Sequence, residues 1–283
     1  MATHDFGAGA VTASQHSNGG GWVAATATVS STVYVGPTAE VFNTARVTDK
    51  VKIYGTAKVS GTAVLSGNCQ IYGAATVQGA ARVAGYAQVY DTAAVSGTTS
   101  LITDNAQVYG GAIVTGAATV SGDTRIYGTV TIQDTAIVSE KAQVYGTALI
   151  KETSIVKGES QVYGSATIQR TAQVYGTTQI YGSSVISDNA RIYGAAKVSG
   201  TATVFGDAKV YEFAEVKDAS SVSGFAEIYG NAVIQTSAAI YGLGVVKSTA
   251  HVGGTIKVTG RASIQGPVDL TGSTIYEGND IVQ

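Results

Sequence analysis

The side chains able to do chemistry or recognition are few and unevenly placed: three histidines (His4, His16 and His251), one cysteine (Cys69), and 16 tyrosines, most of them at a fixed spacing. A catalytic histidine needs a partner that orients it, and a metal ion needs ligands that converge. His4 and His16 stand near the start of the chain and His251 near its far end, so no histidine pair or triad is expected. A lone cysteine makes neither an intramolecular disulfide nor a thiolate zinc cage. No catalytic residue, metal ligand or cofactor is therefore assigned.

The tyrosines carry a different chemistry, that of stacking and recognition. Tyr54, Tyr72, Tyr90, Tyr109, Tyr127, Tyr145, Tyr163 and Tyr181 are 18 residues apart, with one additional residue between Tyr90 and Tyr109. Two residues before all but the first stand Gln70, Gln88, Gln107, Arg125, Gln143, Gln161 and Gln179. A second set, Tyr175, Tyr193, Tyr211 and Tyr229, keeps the same step and follows Gln173, Arg191, Lys209 and Glu227. Rings and amides at one repeat distance stack on their own kind. A long, weakly charged aromatic face is also the composition of a contact surface. Stacking alone and a face for self-association or for a flat polymer such as a polysaccharide are the two readings of these columns.

The element that positions the columns is a six-residue repeat of the form VxGxAx, seen in IYGTAK, VSGTAV, LSGNCQ and IYGAAT from Ile53 onward. Hexads run from Val23 to Val95 and again from Ile102 to Leu270, 42 in all, with one extra residue near Ser100 or Leu101. The first position is Val, Ile or Leu in every hexad, and the fifth is Ala in 27. Neither a 3.6-residue nor a heptad period fits. In an extended segment positions five and one face the same way, so each hexad is a short strand with an aliphatic inner side, and Cys69 falls at an inward fifth position. The third position is Gly in 26 hexads and Asp or Asn in seven (Asn43, Asp49, Asp91, Asp104, Asp134, Asp188 and Asp218), the residues that tolerate positive φ and so make corners. With the tyrosine step of 18, three hexads make one coil. The expected fold is all-β, a single-stranded, three-sided parallel β-helix of about 14 coils, each stable only against its neighbours. The organisation expected is an N-terminal arm and cap over 1–22, the solenoid over 23–275 and a short tail over 276–283.

These residues resemble the hexapeptide-repeat proteins. The VYGTA and VSGTA units, entered through HSNGGGWV at 16–23, are similar to the YdcK-like bacterial and phage arrays. The resemblance implies a left-handed β-helix of triangular cross-section and a habit of forming trimers. It departs from the transferase form of the repeat, in which Gly directly follows the aliphatic residue. A hexapeptide acyltransferase would imply a general-base histidine at a subunit interface, and a γ-type carbonic anhydrase three histidines on a metal; neither set is recognisable in this sequence.

Seventeen basic and 19 acidic residues leave a formal charge of −2, without the basic field that phosphate contacts require, so nucleic acid is not an expected partner. The start MATHDFGAGA has no basic region followed by an apolar stretch, and no run of about 18 apolar residues occurs. Neither a Sec signal nor membrane insertion is expected; the sequence leaves the compartment open, and cytoplasmic synthesis is compatible with later assembly into a particle or surface structure. The function expected is a non-enzymatic structural or adhesive solenoid, a component of a phage-like particle, fibre or surface assembly. It would be a homo-oligomer, a trimer or an end-to-end filament. The alternatives are an enzyme of the two hexapeptide kinds and an ice-binding protein. For ice binding the threonines fall mostly at corner position four (Thr26, Thr56, Thr62, Thr147, Thr201) rather than on a face.

Overall fold

The computed structural model describes residues 2–283, and among them only strands, turns and bends occur, with no helix. The chain divides into two compact units, Met1–Glu140 and Lys141–Gln283. In each unit two-residue strands recur through the hexads and lie on three parallel sheets, and the chain holds about 14 coils of about 18 residues. Strands one coil apart pair in register: Gln70 with Gln88 and Ile71 with Val89 in the first unit, Gln161 with Gln179 and Val162 with Ile180 in the second.

The period of six follows from how the backbone groups are used. Amides at positions two, four and six donate to the carbonyls of positions one, three and five in the next coil: Tyr54 to Ile71 at 3.0 Å, Thr56 to Gly73 at 2.7 Å, and Lys58 to Ala75 at 3.0 Å. The aliphatic side chains at positions one and five then point inward and are at most 1% exposed from Val33 to Ile264. Burying one Val or Ile contributes roughly 1.5–3 kcal/mol. Cys69 sits among them with its thiol directed at the Val83 carbonyl, and burial pushes that thiol up to about 12. Three inward serines turn their hydroxyls back on the chain: Ser154, Ser160 and Ser220 donate to the carbonyls of Lys151, Lys157 and Lys217 at 2.7–2.8 Å.

From Asn43 onward the third-position corners are left-handed, as at Gly55 (φ 66°), Asp91 (φ 57°) and Asp218 (φ 60°). Six further corners adopt the same conformation with residues that do not favour it: Glu140, Glu152, Arg170, Glu212, Thr236 and Ser248. Acidic corners gain something in return. The carboxylates of Asp49, Asp104 and Glu212 accept hydrogen bonds from the amides of Gly67, Gly122 and Gly230, each one coil further on, at 2.8–2.9 Å. Arg170 instead pairs with Asp188, the next corner in its column, at 2.9 Å. The corner threonines are also engaged: Thr56, Thr62, Thr147 and Thr201 donate their hydroxyls to the corner carbonyls of the next coil at 3.1–3.3 Å. The first coil differs. Ala25, Ser31 and Pro37 stay out of the left-handed region, and its turns close by tighter bonds of 2.9–3.0 Å from position five to position two.

The structure moves the extra residue. Ser100 is fully buried at an inward fifth position and Leu101 begins the next strand, so neither is the insertion. The amides of Thr98 and Thr99 both aim at the Gly116 carbonyl, at 3.0 and 3.3 Å, and the surplus residue is absorbed at that corner. The segment 276–283 is also more than a tail. Ile281–Val282 pairs in parallel with Ser263–Ile264, and Gly278 makes a left-handed corner at φ 62°. Tyr276 takes the first position and Asp280 the fifth, which hides the hexad from a search for aliphatic and Ala.

The first residues form strands β1 (Thr3–Asp5) and β2 (Ala10–Gln15), an antiparallel hairpin. β2 pairs antiparallel with β3 (Trp22–Ala24), the first strand of the solenoid sheet. The hairpin is fastened by aromatic contacts: His4 stacks on Trp22 at 4.6 Å, and Phe6 stacks on Phe42 at 4.9 Å. Glu40 receives His4 Nε2 at 2.9 Å and Lys58 Nζ at 2.8 Å. Burial works against its charge, but the hydrogen bonds from His4 and Lys58 outweigh it and hold the Glu40 carboxyl below its ordinary value.

Two outcomes follow from this geometry. Thr236→Gly removes a β-branched residue from φ 62° and should raise the unfolding midpoint, by about 1 kcal/mol of stability, in denaturant titrations against wild type. The lowered Glu40 value means that its contribution to hairpin docking is complete above the ordinary glutamate value and is lost as pH falls below it through the lower folded value. Fluorescence of Trp22, the single tryptophan, should report hairpin release on acidification, and Glu40→Gln should abolish that pH-dependent step.

Candidate functional site

The outward columns are fixed by the same parallel register. On one sheet of the first unit the position-six residues Gln70, Gln88, Gln107 and Arg125 pair directly, and Tyr72, Tyr90, Tyr109 and Tyr127 stand two residues after them. The second unit carries Gln143, Gln161 and Gln179 in register, with Tyr145, Tyr163 and Tyr181 beside them. The rings form continuous stacks. In the first unit the steps from Tyr54 to Tyr72, Tyr90, Tyr109 and Tyr127 are 4.9, 4.7, 4.7 and 5.1 Å, with planes within 10° of parallel. In the second unit Tyr145, Tyr163 and Tyr181 follow at 4.8 and 4.9 Å. Each stacked pair adds roughly 0.5–1.5 kcal/mol beyond the area it buries.

The two columns are bonded to each other. Tyr54 Oη donates to Gln70 Oε1 at 3.2 Å and Tyr72 Oη to Gln88 Oε1 at 3.4 Å, which leaves the amide NH2 groups to donate outward. The column changes chemistry after Tyr181: Gln179 pairs with Lys197, and Lys197 Nζ bonds Glu215 at 3.1 Å. The second ladder, Tyr175, Tyr193, Tyr211 and Tyr229, stacks at 5.1, 4.8 and 4.9 Å on a different sheet of the second unit. Its companion column is charged, with Lys209 bonded to Glu227 at 2.8 Å, and its first ring is covered by Lys157, whose Nζ lies 5.8 Å from the Tyr175 centroid.

Stacking shifts the phenols. Burial raises Tyr54, Tyr72, Tyr109, Tyr163 and Tyr193 above the ordinary value and pushes Tyr90 to about 12. Tyr211 is raised by burial and then by the Glu227 carboxylate beside it.

The histidines stay apart from these columns. His4 lies in the hairpin, His16 is half-buried just after β2, and His251 is an exposed outward residue of the second unit. One surface feature escapes the sequence reading. In the second unit Phe205, Phe225, Tyr241 and Leu243, each 36% exposed or more, straddle a single corner edge built on Gly206, Gly224 and Gly242. Its signal is the occurrence of large apolar residues at outward positions two and four of three successive coils.

An all-β chain of three parallel sheets wound in 18-residue coils is a parallel β-solenoid repeat protein. Residues 106–122 match the family model described as the YdcK β-solenoid repeat, and the coil architecture supports that likeness to a YdcK-like repeat β-helix. No curated protein matches the sequence.

The raised phenol values give a sign for alkaline behaviour. A ladder of neutral phenols contributes stability that is complete below the ordinary tyrosine range, about 10, and is lost as pH rises through the folded values. Tyrosinate absorbance should lag behind that of free tyrosine, and loss of the β-sheet circular dichroism signal should accompany the last phenols to ionise. Titration of all 16 phenols at the ordinary value with the fold intact would contradict the stacked environment.

Proposed function

We propose that the protein is a non-catalytic structural solenoid that self-associates through its Gln/Tyr face, as a component of a phage-like particle, fibre or surface assembly. The observation that carries this reading is the stacked ladder with its free amide donors. Rings held at 4.7–5.1 Å by their own neighbours are already ordered, so a partner face meets them with little further loss of side-chain freedom. Gln70 and Gln88, whose oxygens accept from Tyr54 and Tyr72, keep their amide NH2 groups as donors one repeat apart. A second copy offers rings and amides at the same spacing, which suits an isologous or small cyclic assembly. The aromatic centre with a polar margin is the composition of protein interfaces.

The test places charge on the face and leaves the ring stack intact. Wild type should scatter light as a multiple of the 28.6 kDa chain, and Gln88→Glu combined with Gln161→Glu should give a folded species of single-chain mass. A wild-type protein of single-chain mass, or a variant whose mass is unchanged, would show that the ladder serves coil stacking only.

A further inference from the structure

The two tyrosine ladders start differently. The first ring of the second ladder has Lys157 over its outer side. Among the described residues no ring or cation stacks on the outer side of Tyr54, the first ring of the other, and the preceding position in its column is Gly36. Gly36 is not left-handed; a Cβ there would lie 3.1 Å from the Tyr54 Cβ, a tight approach, and as glycine it puts no side chain over the Tyr54 ring. The column therefore ends on a ring whose outer side faces a groove.

That groove has a volume of about 770 Å³, within the range of small-molecule sites, and belongs wholly to the first unit. Tyr34 and Tyr54 both line it, the Tyr34 ring set against Gly19 where an added Cβ would lie 2.9 Å from the ring. Lys50 and Lys52 line it and no carboxylate does. Neither lysine has a carboxylate within ion-pair distance among the described residues. Gln70 lies at its edge with its amide oxygen taken by Tyr54 Oη, so its NH2 is a third donor.

We propose that this groove binds a planar aromatic anion, whose ring stacks on Tyr54 as one more rung of the ladder while its acidic group meets Lys50 and Lys52. The ladder sets the ring spacing at 4.7–4.9 Å, and two unneutralised ammonium groups beside an aromatic wall select negative charge. The site needs only the first unit and holds whether or not the Gln/Tyr face joins copies of the chain.

Equilibrium dialysis of the full chain against 2-naphthoate is the test, with 2-naphthamide and cyclohexanecarboxylate as the neutral and non-aromatic probes. Naphthoate should bind one molecule per chain, more tightly than either comparison compound. Lys50→Gln with Lys52→Gln should weaken it roughly tenfold and remove the preference over the amide. Tyr54→Leu should weaken naphthoate, while Tyr163→Leu, which removes a rung elsewhere, should not. Absence of saturable binding, equal affinity for the amide, or equal effects of the two tyrosine variants would overturn the proposal. A single-chain mass with naphthoate bound would sink only the self-association reading, and an assembly that binds none would sink only this one.

Discussion

The backbone hydrogen bonds between successive coils fix one distance, the spacing of paired strands near 4.8 Å, and every outward column inherits it. Aromatic rings prefer centroid separations in the same range, so a tyrosine repeated every 18 residues stacks without any adjustment of the coil, as the 4.7 Å steps from Tyr72 to Tyr109 show. The same pitch brings Lys197 onto Glu215 and Lys209 onto Glu227. Stacks, amide rows and ion pairs are thus alternative contents for one lattice, and the side chain at position two or six decides which is written. Exposed ion pairs of this kind contribute little, about 0–1 kcal/mol, so the stacked rings are the stronger tie between coils.

Where the repeat speaks through residue type, the sequence suffices. Val and Ile at position one, Ala at five and Gly, Asn or Asp at three give the strands, the core and most corners. The exceptions are instructive. Glu212 and Thr236 have no preference for the left-handed conformation, but their neighbours above and below are already locked in register, and the coil imposes the corner on them. The last coil carries Tyr276 and Asp280 at inward-type positions and pairs all the same, because Gly278 and the ladder to Ser263 and Ile264 suffice. The N-terminal hairpin has no hexad and runs antiparallel, so the repeat says nothing of its strands.

The candidate face was legible from spacing alone: the Gln and Tyr columns stand where an 18-residue step puts them. What spacing does not contain is the orientation of the tyrosine hydroxyls onto the glutamine oxygens, the lysine over Tyr175, or the uncovered side of Tyr54. Each depends on the contents of adjacent columns or of a column's end. The aromatic edge around Phe225 is hidden for a related reason, since its members occupy two columns and no single periodicity joins them.

The corner at Thr98 and Thr99 shows how the coil treats surplus chain. Two amides share the Gly116 carbonyl, Ser100 is buried inward, and the tyrosine stack from Tyr90 to Tyr109 continues at 4.7 Å across a step of 19 residues. The strands on either side do not register the extra length. A fold with this property separates its metre from its ornament: a residue is gained at a corner while the tyrosine column keeps its beat. Such corners are the natural grafting points of the solenoid, where loops with new specificity can be acquired by evolution or by design without rewriting a single coil.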